Sequence, residues 1–245
     1  MRRPSEDRVR AQPVVWARVP SARFERRCRL SSIDNLAALV ERIRAHLAGK
    51  SKVRDLALTR ARALIRHCAD SIRATHRQQY ELARELLGQA RTAAQTMCAD
   101  AKVYPDVYHA GYVQDALKEL AEAAITLALV TKEQLPDPDV LEIEYPAYLK
   151  GLAEAMGELR RGALDSMRRG DIEEAERLLY IMDQVYSYLI TIDFPDSLTR
   201  GLRRTTDMVR GVTERTRGDL TTAVRQERLQ AALKAFEARL NARSE

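Results

Sequence analysis

The sequence predicts an all-α fold, and three observations carry that expectation. Aromatic residues make up 5% of the 245, with three Phe and one Trp, too few to supply the cross-strand pairs of a β-sandwich. Hydrophobic residues reach 45% and charged residues 31%, dominated by Ala, Leu, Arg and Glu, which is the mixture amphipathic helices use. No proline falls between Pro20 and Pro105, so nothing interrupts a helical pattern over that span. The chain is long enough for one large domain or two small ones and for a substantial buried core.

The elements follow in order. Residues 1–30 read as an Arg-rich, poorly ordered tail or as sequence upstream of a misassigned start, and 31–245 as one all-α domain of six to seven helices. Ser32 opens a helix on which Ile33, Leu36, Val40, Ile43 and Leu47 recur at helical spacing, with Gly49 as its expected stop. Ser51 caps a second helical region running to about residue 102, with a possible break at Gly88. Asp106 starts a third helix, with Val113, Leu117, Leu120, Ala124 and Leu127 on its apolar face. Lys132 to Tyr145, with Pro136 and Pro138, is the one clear internal loop. Pro146 suits the first turn of a fourth helix that Gly170 can end. Asp171 and Glu174 form a capping pattern for a fifth, reaching about Ile192. A long charged helix begins near Asp196 or Ser197 and can bend at Gly211 or Gly218.

Charge and cysteine usage narrow the function classes. Nine Arg against Glu6, Asp7 and Glu25 in residues 1–30 account for the whole net charge of +6, so the body is electrically balanced. The basic total is thus no argument that the folded body binds nucleic acid. Cys28, Cys68 and Cys98 share no metal-ligand spacing and read as free thiols in a reducing compartment. With no apolar run of bilayer length and no secretory signal, the protein is expected to be soluble and cytoplasmic.

Two constellations could carry chemistry. In the third helix Asp115, Glu119 and Glu122 fall at about −140°, −100° and −160° from Leu120, on one strip beside the apolar face. Glu154 and Glu158 are neighbours over one turn of the fourth. Like charges so placed destabilise a helix by about 0.2–0.5 kcal/mol per pair, and a divalent cation would supply the compensation. A solvated acidic face neutralised by Lys118, Lys150 and Arg161 explains the same spacing, and spacing alone favours it. A ferritin-like di-iron site is excluded, because none of His46, His67, His76 and His109 follows a Glu by three positions. In the second helical region Arg62, Arg66, Arg73 and Arg77 form a basic ridge with His76 beside it, suited either to a phosphate backbone or to pairing with the acidic strips. Tyr180, Tyr186, Tyr188 and Met182 read as core and interface filling.

Several of these segments together resemble one known family. Residues 147–161, with Tyr148-Leu149-Lys150-Gly151 and Gly157-Glu158-Leu159, are similar to a helix of translin and its partner, translin-associated factor X. Gly170-Asp171-Ile172 followed by Gln184-Val185-Tyr186 is similar to that family's next helix, and Val53-Arg54-Asp55 with Arg62 to its early basic helix. The resemblance spans about residues 33–235 and excludes the Arg-rich tail. It implies an all-α fold assembled into a hollow homo-octamer enclosing nucleic acid. Glu119-Leu-Ala-Glu122-Ala and Glu158 match the nuclease branch, while Glu154 stands where that branch has Asp, one methylene longer. The resemblance therefore implies a metal-dependent endoribonuclease acting on single-stranded RNA. Glu119, Glu122, Glu154 and Glu158 are its expected catalytic and Mg²⁺ or Mn²⁺ ligands, and Arg62, Arg66, Arg73 and Arg77 its expected nucleic-acid contacts. The third and fourth helices are then expected as antiparallel neighbours that set Glu119 and Glu122 opposite Glu154 and Glu158. Expected products carry 5′-phosphate and 3′-hydroxyl ends. The alternatives are a non-catalytic shell binding single-stranded RNA or DNA, as translin does, and a helical scaffold.

Overall fold

The computed structural model describes residues 33–241; the Arg-rich segment 1–30, with Cys28, lies outside them. Among the described residues the helices are α1 (Leu36–His76), α2 (Tyr80–Ala101), α3 (Pro105–Tyr108), α4 (Gly111–Thr131), α5 (Pro138–Leu141), α6 (Tyr145–Arg169), α7 (Ile172–Leu189), α8 (Asp196–Thr199) and α9 (Leu202–Asn241), with no strand. Three of these are single turns of four residues, which leaves six long helices.

The first two expected boundaries are wrong. α1 runs unbroken through Gly49 for 41 residues. Glycine costs a helix interior only about 1 kcal/mol relative to Ala, and Gly49 lies where a Cβ would stand 3.1 Å from Tyr104 Oη, a tight contact. Gly88 likewise lies inside α2. The break falls at Arg77–Gln79, where Gln78 adopts a left-handed φ of 60° and the Gln79 N–H donates to the Ala74 carbonyl. No Gly or Pro marks that turn. Similarly, Arg200 and Gly201, with φ of 52° and 83°, separate α8 from α9, which then continues through Gly211 and Gly218.

By its contacts the chain divides into two units, Met1–Ala48 and Gly49–Glu245. The described part of the first is a helical segment on which Leu36, Val40, Ile43 and Leu47 are all exposed. The second holds the core. Its largest fully buried side chains are Leu, Met, Ile and Val, with no aromatic among them, and Ala fills much of the remainder. Met182 belongs to this core and Tyr186 packs against it, but Tyr180 and Tyr188 are exposed. Small core side chains let helix axes approach closely, and α4 uses this most: from Val113 to Leu129 it is buried except along the strip of Asp115, Lys118, Glu119 and Glu122.

α6 packs against α4, and the two run parallel, not antiparallel as expected from the sequence. Their beginnings lie together, with His109 Nδ1 3.4 Å from the Glu144 carboxylate. Their ends also lie together, Val130 and Lys132 lining one cleft with Gly162, Asp165 and Ser166. The connection 132–144 makes this possible by returning along α2, where Arg84 pairs with Glu133, Arg91 donates to the Val140 carbonyl and Gln95 to Glu142. Thirteen residues span up to about 43 Å when extended, more than the roughly 31 Å of a 21-residue helix. Gly170, with φ of 79°, then ends α6, and the Asp171 carboxylate caps α7 by accepting from the Glu174 N–H at 3.1 Å.

At Gly151 the α4–α6 contact is closest. A Cβ there would meet Ala121 Cβ and the Lys118 carbonyl at 2.7 Å and the Glu122 N–H nitrogen at 2.9 Å. Two of the three obstacles are backbone, so the helices themselves would have to separate. Gly151→Ala should cost about 1–3 kcal/mol through overpacking and lower Tm by roughly 3–10 °C. Thermal unfolding checks this; an unchanged Tm would show that the helices do not touch as described.

Candidate functional site

The Gly151 contact sets the two acidic strips side by side. Lys118, Glu119 and Glu122 lie on α4 within a turn of it, and Glu154 lies one turn further along α6. One carboxylate oxygen each from Glu119, Glu122 and Glu154 falls within 4.8 Å of the others. Glu158, a turn beyond Glu154, stands near enough to disfavour the charge on Glu122. Asp115, on the same strip of α4, is exposed and takes no part.

The acids of the cluster are partnered unequally. The Lys118 ammonium, 14% exposed, bridges the helices by donating to Glu119 at 3.1 Å and to Glu154. Burial opposes that charge, but the two carboxylates hold the ammonium pKa above its ordinary value. His76 Nε2, at the end of α1 and 7% exposed, meets Glu158 Oε2 at 2.5 Å, and Arg161 lies 4.0 Å from the same oxygen. The His76 hydrogen bond keeps the Glu158 carboxyl below its ordinary range despite burial. Glu122 makes no hydrogen bond or ion pair among the described residues. Burial, then the charges of Glu119, Glu154 and Glu158, push its carboxyl up to about 8. The Cys68 thiol of α1 is pushed up to about 12, chiefly by burial and then by Glu119 and Glu122, so it stays protonated and inert.

The expected neutralisers of the acidic face are therefore partly present: Lys118 and Arg161 pair with it, and Lys150 has no ion pair among the described residues. Two neighbours of the cluster carry no signal for it in the sequence. His76 reads as a neighbour of the basic ridge, and no local pattern links it to Glu158, 82 residues away. Cys68 carries no signal beyond an apolar position on a helix. His109 faces Glu144 instead.

Arg62, Arg66, Arg73 and Arg77 are all exposed. Arg73 pairs with Asp70 on its own helix, and the other three have no ion pair among the described residues, so the acidic strips do not consume the ridge. Measured round α1 from Cys68, which faces the acidic cluster, Arg62, Arg66 and Arg73 lie at about 120–160°, and Arg77 stands in the turn just past the end of the helix. The structure thus brings the carboxylates together and leaves the ridge on the outer side of α1.

Because Glu122 is held near 8 in the fold against an ordinary 4.5, the folded state binds the extra proton between those values. Stability without metal should therefore fall as pH rises from about 5 to about 8. In EDTA, Glu122→Gln should match the wild-type Tm at pH 5 and exceed it by at least about 4 °C at pH 9. Equal melting at both pH values would show that Glu122 is not crowded by charge.

No family model matches the chain. An uncharacterized protein of Methanocaldococcus jannaschii is 29% identical over 208 residues, covering 84% of this chain and 90% of that relative. Among solved structures the chain is similar to AfC3PO, with a TM-score of 0.70 and 34% identity over 75% of this chain and 96% of that one. It is also similar to AfC3PO in a complex with duplex RNA, with a TM-score of 0.66, 32% identity and coverage of 75% and 95%. Apo-NeC3PO, at 22% identity, a TM-score of 0.66 and coverage of 78% and 97%, shares the fold. Similarity of this extent, along most of both chains and with the all-α arrangement built around α4 and α6, places the chain in the translin/C3PO family.

Proposed function

We propose that the protein is a metal-dependent endoribonuclease. The observation that carries this reading is Glu122: a largely buried carboxyl without a hydrogen bond or ion pair, within 4.8 Å of Glu119 and Glu154 oxygens. Lys118 offsets one of these three charges, and one divalent cation would balance the remaining two. Three oxygen donors contributed by two rigid helices suit a hard ion such as Mg²⁺ or Mn²⁺, which keeps several waters beside a few carboxylates. Glu119, Glu122 and Glu154 would hold it, with Glu158 kept ionised and oriented by His76. Once bound, the ion would lower the pKa of water at the site and offset charge developing on the phosphate.

The polypeptide's share of the work is positional. α4 and α6 hold the ligands on rigid backbone, His76 fixes the Glu158 carboxylate, and the surrounding core limits access of bulk solvent. A phosphodiester presented to the cluster would be hydrolysed with its 2′-hydroxyl as a spectator, leaving 5′-phosphate and 3′-hydroxyl ends. RNA as substrate class is supported by the AfC3PO complex with duplex RNA together with the unconsumed Arg62 and Arg66 on α1 and Arg77 just beyond its end. A flexible single strand fits an Arg-lined enclosure more readily than a stiff duplex, so both forms belong in the assay. A shell that binds RNA or single-stranded DNA without cutting is the second reading, favoured by the degree to which Lys118 and His76 already satisfy Glu119, Glu154 and Glu158.

Assembly is part of the proposal. Leu36, Val40, Ile43 and Leu47 on α1, and Leu229, Leu233 and Phe236 on α9, are exposed apolar residues spaced by four and three, the pattern of a helix seam that expects a partner. A homo-oligomer, an octamer by family resemblance, would cover them. Light scattering should give an assembly of that order, and Leu233→Glu should shift it toward smaller species; a stable monomer at micromolar concentration would contradict it.

Glu122→Gln or Glu158→Gln should reduce cleavage of labelled single-stranded RNA by at least about 100-fold while assembly persists. RNA binding should persist too, whereas replacing Arg62, Arg66 and Arg77 by Gln should weaken binding and flatten its salt dependence. Full cleavage by the Gln variants, full activity in excess EDTA, or cyclic-phosphate product ends would overturn the nuclease reading and leave the binding shell.

A further inference from the structure

Lys118 occupies an unusual place for a lysine. It immediately precedes Glu119 on α4, is 14% exposed, and its ammonium reaches across the helix interface to Glu154 while remaining 3.1 Å from Glu119. It thereby bonds the two carboxylates that, with Glu122, bring their oxygens within 4.8 Å. The backbone around it is fixed: the Lys118 carbonyl is one of the atoms against which Gly151 packs, so the side chain starts from a rigid base. An ammonium is a compact, strongly hydrated monovalent cation on a flexible stem, and here it sits on donors of the kind a divalent ion would take.

We infer that Lys118 is a built-in counter-cation that competes with the divalent ion for Glu119 and Glu154, holding the acidic centre together without metal and weakening its grip on metal. The inference rests on the metal-centre reading above. Its physical basis is Coulomb's law in a partly desolvated site: like charges repel, so an ion entering beside a fixed ammonium is bound less tightly than one entering a purely acidic cluster. To be coordinated fully by Glu119 and Glu154, the ion must displace the ammonium or share the oxygens with it. Removing the ammonium leaves three carboxylates without their nearest positive charge. The metal-free protein should then be less stable and the metal affinity higher. A lysine acting only in packing would not raise metal affinity when removed.

The test is a Mn²⁺ titration of the full-length protein in the absence of RNA, with free Mn²⁺ read by electron paramagnetic resonance. Lys118→Met keeps length and removes charge, and Lys118→Arg keeps the charge. Lys118→Met should bind Mn²⁺ about tenfold more tightly than wild type, and Lys118→Arg should bind within about threefold of wild type. Circular dichroism melting gives an independent reading: without metal Lys118→Met should melt lower than wild type, and saturating Mn²⁺ should raise its Tm by more. Lys118→Gln repeats the comparison if the Met variant fails to fold. Equal or weaker Mn²⁺ binding by the neutral variants, with wild type binding normally, would overturn the counter-cation role and leave the metal centre standing. Failure of every variant and wild type to bind Mn²⁺ would overturn both.

Discussion

The close contact of α6 with α4 at Gly151 is the constraint on which the candidate site depends. With no side chain at 151, α6 lies against Ala121 and against the backbone of Lys118 and Glu122. At that separation, side chains one turn away on either helix can reach one another. The sequence supplies what this approach needs elsewhere too: Ala121, Ala123, Ala153 and Ala155 are fully buried, small residues that keep interaxial distances short. A core of Ala and Leu with few aromatics is therefore a requirement of the site as well as a mark of the helical class.

Bringing those strips together creates the electrostatic problem that gives the site its character. Four carboxylates converge, and the chain answers three of them: Lys118 bonds Glu119 and Glu154, and His76 bonds Glu158. Glu122 is left, buried and crowded, with its carboxyl pushed up to about 8. A fold selected only for stability gains nothing from an ionisable group in that position. Strongly perturbed acids are characteristic of functional sites, and a carboxyl that gives up its proton readily only when a cation arrives is suited to a metal centre.

The legible parts of the structure were those with local signals. Gly170 and the Asp171–Glu174 cap mark the turn between α6 and α7 in the sequence as they do in space, and the strips of Glu119 with Glu122 and Glu154 with Glu158 follow from helical periodicity alone. Local reasoning failed where tertiary packing decides. Gly49 has the local signal of a stop because glycine disfavours helix, yet it lies inside α1 against Tyr104. The real break at Gln78 carries no glycine. The direction of α6 relative to α4 depends on where the 132–144 connection docks, which no periodicity records. His76 could not be joined to Glu158 from sequence, because that contact exists only when α1 and α6 pack together. The family resemblance served where spacing could not, in choosing between a solvated acidic face and a clustered one.

The most direct test of the central claim is anomalous diffraction from crystals grown with saturating Mn²⁺. An anomalous peak is expected within coordinating distance of Glu119, Glu122 and Glu154, on the seam between α4 and α6. Crystals holding Mn²⁺ only elsewhere, or none with the three carboxylates still clustered around Lys118, would contradict it.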